Sequence, residues 1–244
     1  LMPWAEAGDP IAQTIVGAAY EDGRGVAQDG AEALRWYGLA ADQGLPRAMF
    51  NLGWVHMHGA PGVPVDTAAA LDWLGRAADR DYPAAFSNLG LMHEEGRGTP
   101  VDEALAAELY ERGRMLGDAH SINNLASLYR EGRGVAADPA LARVFYIEAG
   151  EAGLPDAIGN LAVMYEEGIG GEVDLEAAYR LYQRAIEAGH ALSANNAAWM
   201  LWEHDDRWPD PVEALVLCYR SVAMARSEER GLFKADCEEM EAWD

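Results

Sequence analysis

The sequence predicts an all-α array of helix pairs, and three observations carry that reading. The first is a recurring phrase. Asn124-Leu125-Ala126-Ser127-Leu128-Tyr129-Arg130-Glu131-Gly132-Arg133-Gly134 returns 36 residues later as Asn160-Leu161-Ala162-Val163-Met164-Tyr165-Glu166-Glu167-Gly168-Ile169-Gly170. Upstream it reads Asn88-Leu89-Gly90-Leu91-Met92-His93-Glu94-Glu95-Gly96-Arg97-Gly98, then Asn51-Leu52-Gly53-Trp54-Val55-His56, then a looser Ile15-Val16-Gly17-Ala18-Ala19-Tyr20-Glu21-Asp22-Gly23. The second is that the apolar and small residues of each phrase, such as Ser121, Leu125, Leu128 and Tyr129, fall at helical spacing. The third is the punctuation: glycine closes each phrase and an aspartate opens the next stretch. A fixed period of this length marks a solenoid whose units bury their apolar faces on their neighbours.

Taken in order, Trp4-Ala5-Glu6-Ala7-Gly8 matches the end of a unit, as in Ala185-Ile186-Glu187-Ala188-Gly189. Residues 1–8 are therefore read as the close of a preceding repeat helix. Because the chain opens at Leu1 and not at Met, further sequence is expected upstream. Six units follow, at 9–44, 45–81, 82–117, 118–153, 154–189 and 190–226. In each, a small residue stands three before the Asn position: Ala12, Ala48, Ala85, Ser121, Ala157 and Ser193. Small side chains there let neighbouring helices approach closely. The first helix is expected to stop at Gly23, Gly59, Gly96, Gly132 and Gly168, since glycine takes the left-handed cap without Cβ strain. The second helix is expected to start at Asp29, Asp66, Asp102, Asp138, Asp174 and Asp210, each worth about 1 kcal/mol as a cap. It carries Ala33, Trp36 and Tyr37, echoed by Ala70, Trp73 and Leu74 and by Ala178, Leu181 and Tyr182.

Two units depart from the pattern. The second has one extra residue around Pro61-Gly62-Val63-Pro64, and the sixth has His204-Asp205-Asp206 in place of the glycine turn, with Trp199, Trp202 and Trp208 crowded together. Residues 227–244 read as a capping helix with Leu232, Phe233, Cys237 and Met240 on one side and acidic residues elsewhere, which suits the polar end an array needs.

Composition narrows the function. Half the residues are hydrophobic, which excludes a disordered chain, and no apolar run approaches the roughly 18 residues of a membrane span. The net charge is −23 and the only lysine is Lys234. Such a field repels phosphate backbones, so neither a nucleic-acid partner nor membrane insertion is expected. It either steers a basic partner or serves solubility. Cys218 and Cys237 form neither a disulfide framework nor a CxxC metal site, and are expected as buried thiols.

Catalytic chemistry is not expected. Gly23-Arg24-Gly25, Gly96-Arg97-Gly98 and Gly132-Arg133-Gly134 follow helices, lack the Lys-Ser/Thr of a phosphate loop, and read as turns. His56 and His93 fill the slot that holds Tyr20, Tyr129 and Tyr165 elsewhere, so a ring packs there, and a metal site would need further ligands. No nucleophile–base pair stands out. The chain is read as no enzyme, with no cofactor and no metal.

The pattern Asn-Leu-Gly-x-x-Tyr, Glu-Gly-x-Gly-Val, Asp, Ala-x-x-Trp/Tyr-Tyr and Ala-Ala-x-x-Gly resembles the Sel1-like repeats, relatives of the tetratricopeptide repeat. The resemblance spans roughly Asp9 to Arg226. It implies a right-handed α/α superhelical solenoid with the first helices on the concave side, acting as an adaptor for other proteins, often in bacteria. The cysteine-bridged subgroup is not resembled, because the repeats lack paired cysteines.

That resemblance gives the Asn series a second meaning. Asn51, Asn88, Asn124, Asn160 and Asn196 recur although Asn costs roughly 0.5–0.7 kcal/mol against Ala inside a helix. Each amide either bonds to the neighbouring repeat or, as in tetratricopeptide repeats, faces a groove and grips a bound peptide. Asn124, mid-array, is the one expected to face the groove. Trp54, Arg130, Trp199 and Trp202 join the series as candidate contacts, being the residue types that anchor interfaces, whereas Phe50 is read as packing. The expected function is a noncatalytic scaffold for a protein or extended peptide; the alternative is an acidic inhibitor of the immunity type that blocks a basic toxin. The cytoplasm is slightly favoured over the periplasm.

Overall fold

A computed structural model of the chain describes residues 1–204 and 211–242. Those residues form fourteen helices: α1 (Met2–Glu6), α2 (Pro10–Asp22), α3 (Gly30–Asp42), α4 (Pro46–His58), α5 (Thr67–Ala78), α6 (Pro83–Glu95), α7 (Glu103–Met115), α8 (Ala119–Glu131), α9 (Pro139–Glu151), α10 (Pro155–Glu166), α11 (Leu175–Glu187), α12 (Ala191–Glu203), α13 (Pro211–Met224) and α14 (Arg230–Glu241). The architecture is an all-α solenoid of helix pairs. No strand occurs among the described residues, and the one isolated bridge joins Ala60 to Val63. Even-numbered helices from α2 to α12 are the first helices of their pairs; odd-numbered ones from α3 to α13 are the second.

The predicted caps explain where second helices start. Asp66, Asp102, Asp138 and Asp174 each accept a hydrogen bond from the backbone amide three residues on, at 2.9–3.0 Å, and Asp29 accepts from Ala31 and Glu32. The same aspartates donate their own backbone N–H to the carbonyl of the ring residue that precedes the turn: Tyr20, His56, His93, Tyr129 and Tyr165, at 2.8–2.9 Å. Each loop is thus closed by two bonds through one residue. Asp210 and Trp208 lie outside the described residues. Two first helices are capped in the same way, which was not foreseen: Asp9 accepts from Ala12, and Asp118 from both the amide and the hydroxyl of Ser121.

The extra residue of the second unit changes the turn itself. Gly96 ends α6 in the left-handed region at φ 70°, ψ 33°. Gly59 ends α4 at φ 76°, ψ 167°, extended in ψ, and Ala60 and Val63 then exchange two backbone bonds of 2.9 and 2.8 Å. A miniature hairpin absorbs the insertion, so α5 begins in register with the other second helices.

The loop arginines are turn residues that also reach backward. Arg97 donates to the Met57 carbonyl at 2.9 Å, and Arg133 to the Glu94 and Glu103 carboxylates at 2.8 and 3.3 Å. The fifth loop has Ile169 at that place, and Arg143 of α9 supplies the guanidinium instead, donating to the Ile169 and Met164 carbonyls.

By internal packing the chain divides into two compact units, Leu1–Asn124 with Arg133–Val135, and Leu125–Gly132 with Ala136–Asp244. The core of the first contains Tyr37, Leu52, Leu74, Phe86 and Met92; that of the second contains Tyr182, Ile186, Met200, Leu217 and Cys237. All six small residues of the series are buried. At α7 the approach is close enough that a Cβ on Gly113 would lie 2.1 Å from Ser121 Oγ.

The end of the array corrects two expectations. Cys218 and Cys237 are not thiols but a disulfide joining α13 to α14, with Cα atoms 5.7 Å apart. Spacing could not show this, because the two positions are brought together only when α14 folds back along α13. Phe233, Cys237 and Met240 are buried as read, but Leu232 is 65% exposed and lies off the apolar side. Beside the bridge, Asn195 of α12 donates to Asp236 at 2.9 Å.

Closing a loop of this size stabilises by about 3 kcal/mol in the chain-entropy account. Reduction should therefore lower the thermal midpoint of the α13–α14 end, and a Cys218→Ser variant should unfold at the reduced protein's midpoint with or without reductant. A thiol assay that titrates two reactive thiols in the unreduced, denatured protein would remove the bridge.

Candidate functional site

The candidate residues sit on first helices, and a single periodic interaction decides how many of them are available. The first three repeats each place a second-helix side chain against a glycine of their own first helix. A Cβ added to Gly17 would lie 2.7 Å from the Tyr37 ring, one on Gly90 2.3 Å from Tyr110, and one on Gly53 2.6 Å from Leu74. These second-helix residues, with Tyr146 and Tyr182, are at most 1% exposed. A buried phenol must dispose of its hydroxyl. Tyr37 donates to Glu21 at 2.5 Å, Tyr110 to Glu94 at 2.7 Å and Tyr182 to Glu166 at 2.5 Å, always to the first helix of the same unit. Burial first, and then the bond to the carboxylate, push all three phenols far above their ordinary range.

At Tyr110 and Tyr182 the next repeat's Asn also reaches that hydroxyl. The Asn124 amide approaches the Tyr110 oxygen and that of Asn196 the Tyr182 oxygen, each opposing the upward shift, as a donor to the phenol oxygen must. Asn123 also donates to Asn124 Oδ1 at 3.2 Å. Asn124, expected from sequence to face the groove, thus has polar neighbours within the array in Asn123 and Tyr110. Asn88 follows Leu74, which has no hydroxyl, and donates instead to the Ala84 carbonyl of its own helix at 2.8 Å. Asn160 is half-buried and engaged. Asn51 has no side-chain hydrogen bond among the described residues, and it too is half-buried.

Around Asn51 the first unit gathers aromatic rings. Trp54 is 40% exposed. Its ring stacks on His58 at 3.9 Å between centroids and lies 6.3 Å from Phe50, which in turn lies 5.1 Å from Tyr82. Phe50, Trp54 and His58 are spaced by four and share one helix face. His58 Nδ1 is 3.0 Å from the Trp54 carbonyl, which holds the pair together. Sequence reasoning found Trp54 but did not place His58 or Tyr82 beside it; for His58 the four-residue spacing was the available signal.

In the second unit the candidates are more enclosed. Arg130 occupies the slot that holds Glu21, Glu94 and Glu166 elsewhere, and is ion-paired with Glu131. Trp202 fills the same slot in the sixth repeat, and Trp199 falls where Trp54 stands in the second; both are half-buried and pack on the core that contains Met200 and Cys218. The second unit thus brings Asn196, Trp199 and Trp202 together on α12, while the first brings Asn51 and Trp54 together on α4.

Comparison with known proteins fits this periodic arrangement. The Sel1 repeat model matches five consecutive segments, 10–45, 46–82, 83–118, 119–154 and 155–190. The chain belongs to the Sel1 repeat family. Members of this family generally serve as protein-interaction scaffolds. Among solved structures, a Sel1 repeat protein from Oxalobacter formigenes is 29% identical with a TM-score of 0.81, covering 90% of this chain and 89% of that one. A protective antigen of uropathogenic Escherichia coli with an SLR fold is 27% identical with a TM-score of 0.75. The match covers 98% of this chain but only 55% of the antigen, so this chain spans about half its length. An immunity protein from Pseudomonas aeruginosa shares the fold at 20% identity and a TM-score of 0.55, covering 96% and 83%. No curated protein matches the sequence. The α12–α13 pair lies beyond the five matched Sel1 segments.

Two predictions follow from the tyrosine contact. Asn124→Ala should cost about 1 kcal/mol, because Tyr110 loses a polar partner, while Asn51→Ala should be neutral or stabilise by a few tenths through helix propensity. Equal effects in urea unfolding would deny the distinction. Glu166 is held above the usual carboxylate range, chiefly by burial and against the bond from Tyr182. The folded state then holds that proton more tightly than the unfolded chain, so stability falls as pH rises from the unfolded value through the raised folded one. Glu166→Gln keeps an acceptor for Tyr182 and should flatten that fall, read as the thermal midpoint between about pH 4 and pH 7.

Proposed function

We propose that this chain is a noncatalytic adaptor that holds a protein or extended peptide against the exposed side of its first helices. The observation that carries the reading is the α4 face, where Asn51 has an uncommitted amide beside the 40% exposed Trp54. A large exposed ring held in place by His58 and Phe50 loses little freedom when covered, and Trp is among the residues that dominate interfaces. Trp199 and Asn196 on α12 offer a similar pair within the second unit. Asn88, Asn124 and Asn160, named as contacts from sequence, take a smaller part, because their amides are already engaged.

The charge supports a second reading, an acidic inhibitor that blocks a basic toxin or effector. With 41 acidic and 18 basic residues the chain attracts a basic protein at long range. The likeness to an immunity protein is one of fold and adds nothing about a toxin.

The Cys218–Cys237 bridge supports a non-reducing compartment, since disulfides persist in secreted and periplasmic proteins and are rare in the cytosol. That turns the slight preference of the sequence reading toward the periplasm. No helix among the described residues is long and apolar enough to cross a membrane.

A partner captured by affinity purification and identified by mass spectrometry provides the test. Trp54→Ala should weaken its binding by about tenfold or more, the scale of an interface anchor, with the thermal midpoint unchanged. If the partner is basic, its association rate should drop steeply with added salt, as screening shortens the field to about 8 Å. A rate indifferent to salt would assign the −23 charge to solubility.

A further inference from the structure

We propose that the groove between α9 and α11, floored by α10, is a second docking surface, built for an acidic amphipathic helix of a partner protein. The groove is a cleft of about 410 Å³ in the second unit, within the roughly 300–1,000 Å³ typical of binding sites. Ile147, Ile158, Leu161 and Leu181 give it an apolar interior, while Arg180 and Arg184 stand along its α11 wall. On α9, Val144 is 55% exposed and Ile147 41%, three residues apart on one face, so the apolar strip runs a turn beyond the cleft.

The arginines decide the sign of the occupant. Arg180 and Arg184 are one helical turn apart, both are exposed, and neither has a carboxylate within 4 Å among the described residues. The same two positions of the other second helices hold Arg35 and Leu39, Asp72 and Arg76, Glu108 and Arg112, Val144 and Glu148, and Val216 and Arg220, so α11 alone carries arginine at both. Where arginine occurs earlier in the series it is already used. Arg35 bonds Glu32, Arg76 lies 3.9 Å from Asp72 and 3.8 Å over the Trp73 ring, and Arg112 lies 4.6 Å over Phe86. Glu151 lines the same cleft, so two arginines against one glutamate leave the rim with one positive charge net.

An apolar floor beside two uncommitted cations selects a ligand with a hydrophobic stripe flanked by carboxylates. Arg180 and Arg184 are about 6 Å apart along the helix axis, the spacing of carboxylates one turn apart on a partner helix. A helix laid into a groove presents its apolar anchors at positions i, i+3, i+4 and i+7. Covering the groove removes water, which strengthens each arginine–carboxylate contact. The occupant is opposite in charge to the basic partner considered above, and the inference does not depend on the first-helix reading.

The test uses a fluorescein-labelled, end-blocked peptide of about four turns, with leucine at i, i+3, i+4 and i+7 and glutamate on both flanks, and a twin with lysine in place of glutamate. Net charge alone would make this protein prefer the lysine peptide. The groove predicts that the wild type binds the glutamate peptide about tenfold or more tightly than its twin, by anisotropy. The double variant Arg180→Glu, Arg184→Glu should invert that order, and Ile147→Asp should weaken the glutamate peptide by about tenfold. All three positions are exposed, and an unchanged thermal midpoint confirms the fold. Trp54→Ala should bind the glutamate peptide like the wild type. Preference of the wild type for the lysine peptide, indifference to the arginine reversal, or loss of binding in Trp54→Ala would each overturn the proposal. So would sedimentation showing an arginine-dependent dimer, which would give the groove to a second copy of the chain.

Discussion

A buried phenol at the centre of four of the helix pairs is the constraint on which the other regularities depend. Tyr110 has no exposure, so its ring needs a small residue opposite and its hydroxyl needs an acceptor. Gly90 supplies the first and Glu94 the second, both from the partner helix. That fixes the rotation of one helix against the other, because a hydrogen bond is directional where apolar burial is not. The Asn of the next unit then finds the same oxygen, so one side chain orients its own pair and its neighbour. A solenoid needs only such a local rule, repeated, since each unit contacts the adjacent ones.

The exceptions obey the same logic. In the second unit the tyrosine and glutamate are replaced together, by Leu74 and Met57, and both are buried in one apolar cluster. Neither polar residue is left without its mate. At the end of the array the position holds Cys218, which has no hydroxyl to share, and the cap is attached through sulfur instead. A covalent bond to α14 thus stands where the preceding tyrosine meets the following Asn. The arginine that replaces glutamate at Arg130 takes Glu131 as its partner.

Much of this was legible in the sequence, and the remainder was hidden for identifiable reasons. The aspartate caps and the glycine ends depend on three or four neighbouring residues, and periodicity exposed them. The buried alanine and serine series was legible for the same reason. The engagement of Asn124 was not, since its partner Tyr110 lies in the preceding unit and no local propensity reports it. The clue was arithmetic: Tyr37, Tyr110 and Tyr182 stand 16 residues after a glutamate and 14 before an Asn, as in Glu94, Tyr110 and Asn124 or Glu166, Tyr182 and Asn196. The disulfide was hidden because its halves lie on different helices. Leu232 was misplaced because a short amphipathic helix tolerates a shift of its apolar edge.

Leu74 has a mechanical consequence. Between the third and fourth repeats the tyrosine position adds a directional contact, but between the second and third that position supplies only shape, and the Arg97 bond to the Met57 carbonyl is left to hold direction. Asn88 has turned back to Ala84, and Leu74 meets its surroundings through dispersion, which sets a distance but no direction. The junction of α5 with α6 is thus a joint that lacks the tyrosine contact. Phe50 and Tyr82 meet across that joint, on the same face as Trp54. A small rocking there would widen or narrow the aromatic seat without disturbing the helices on either side.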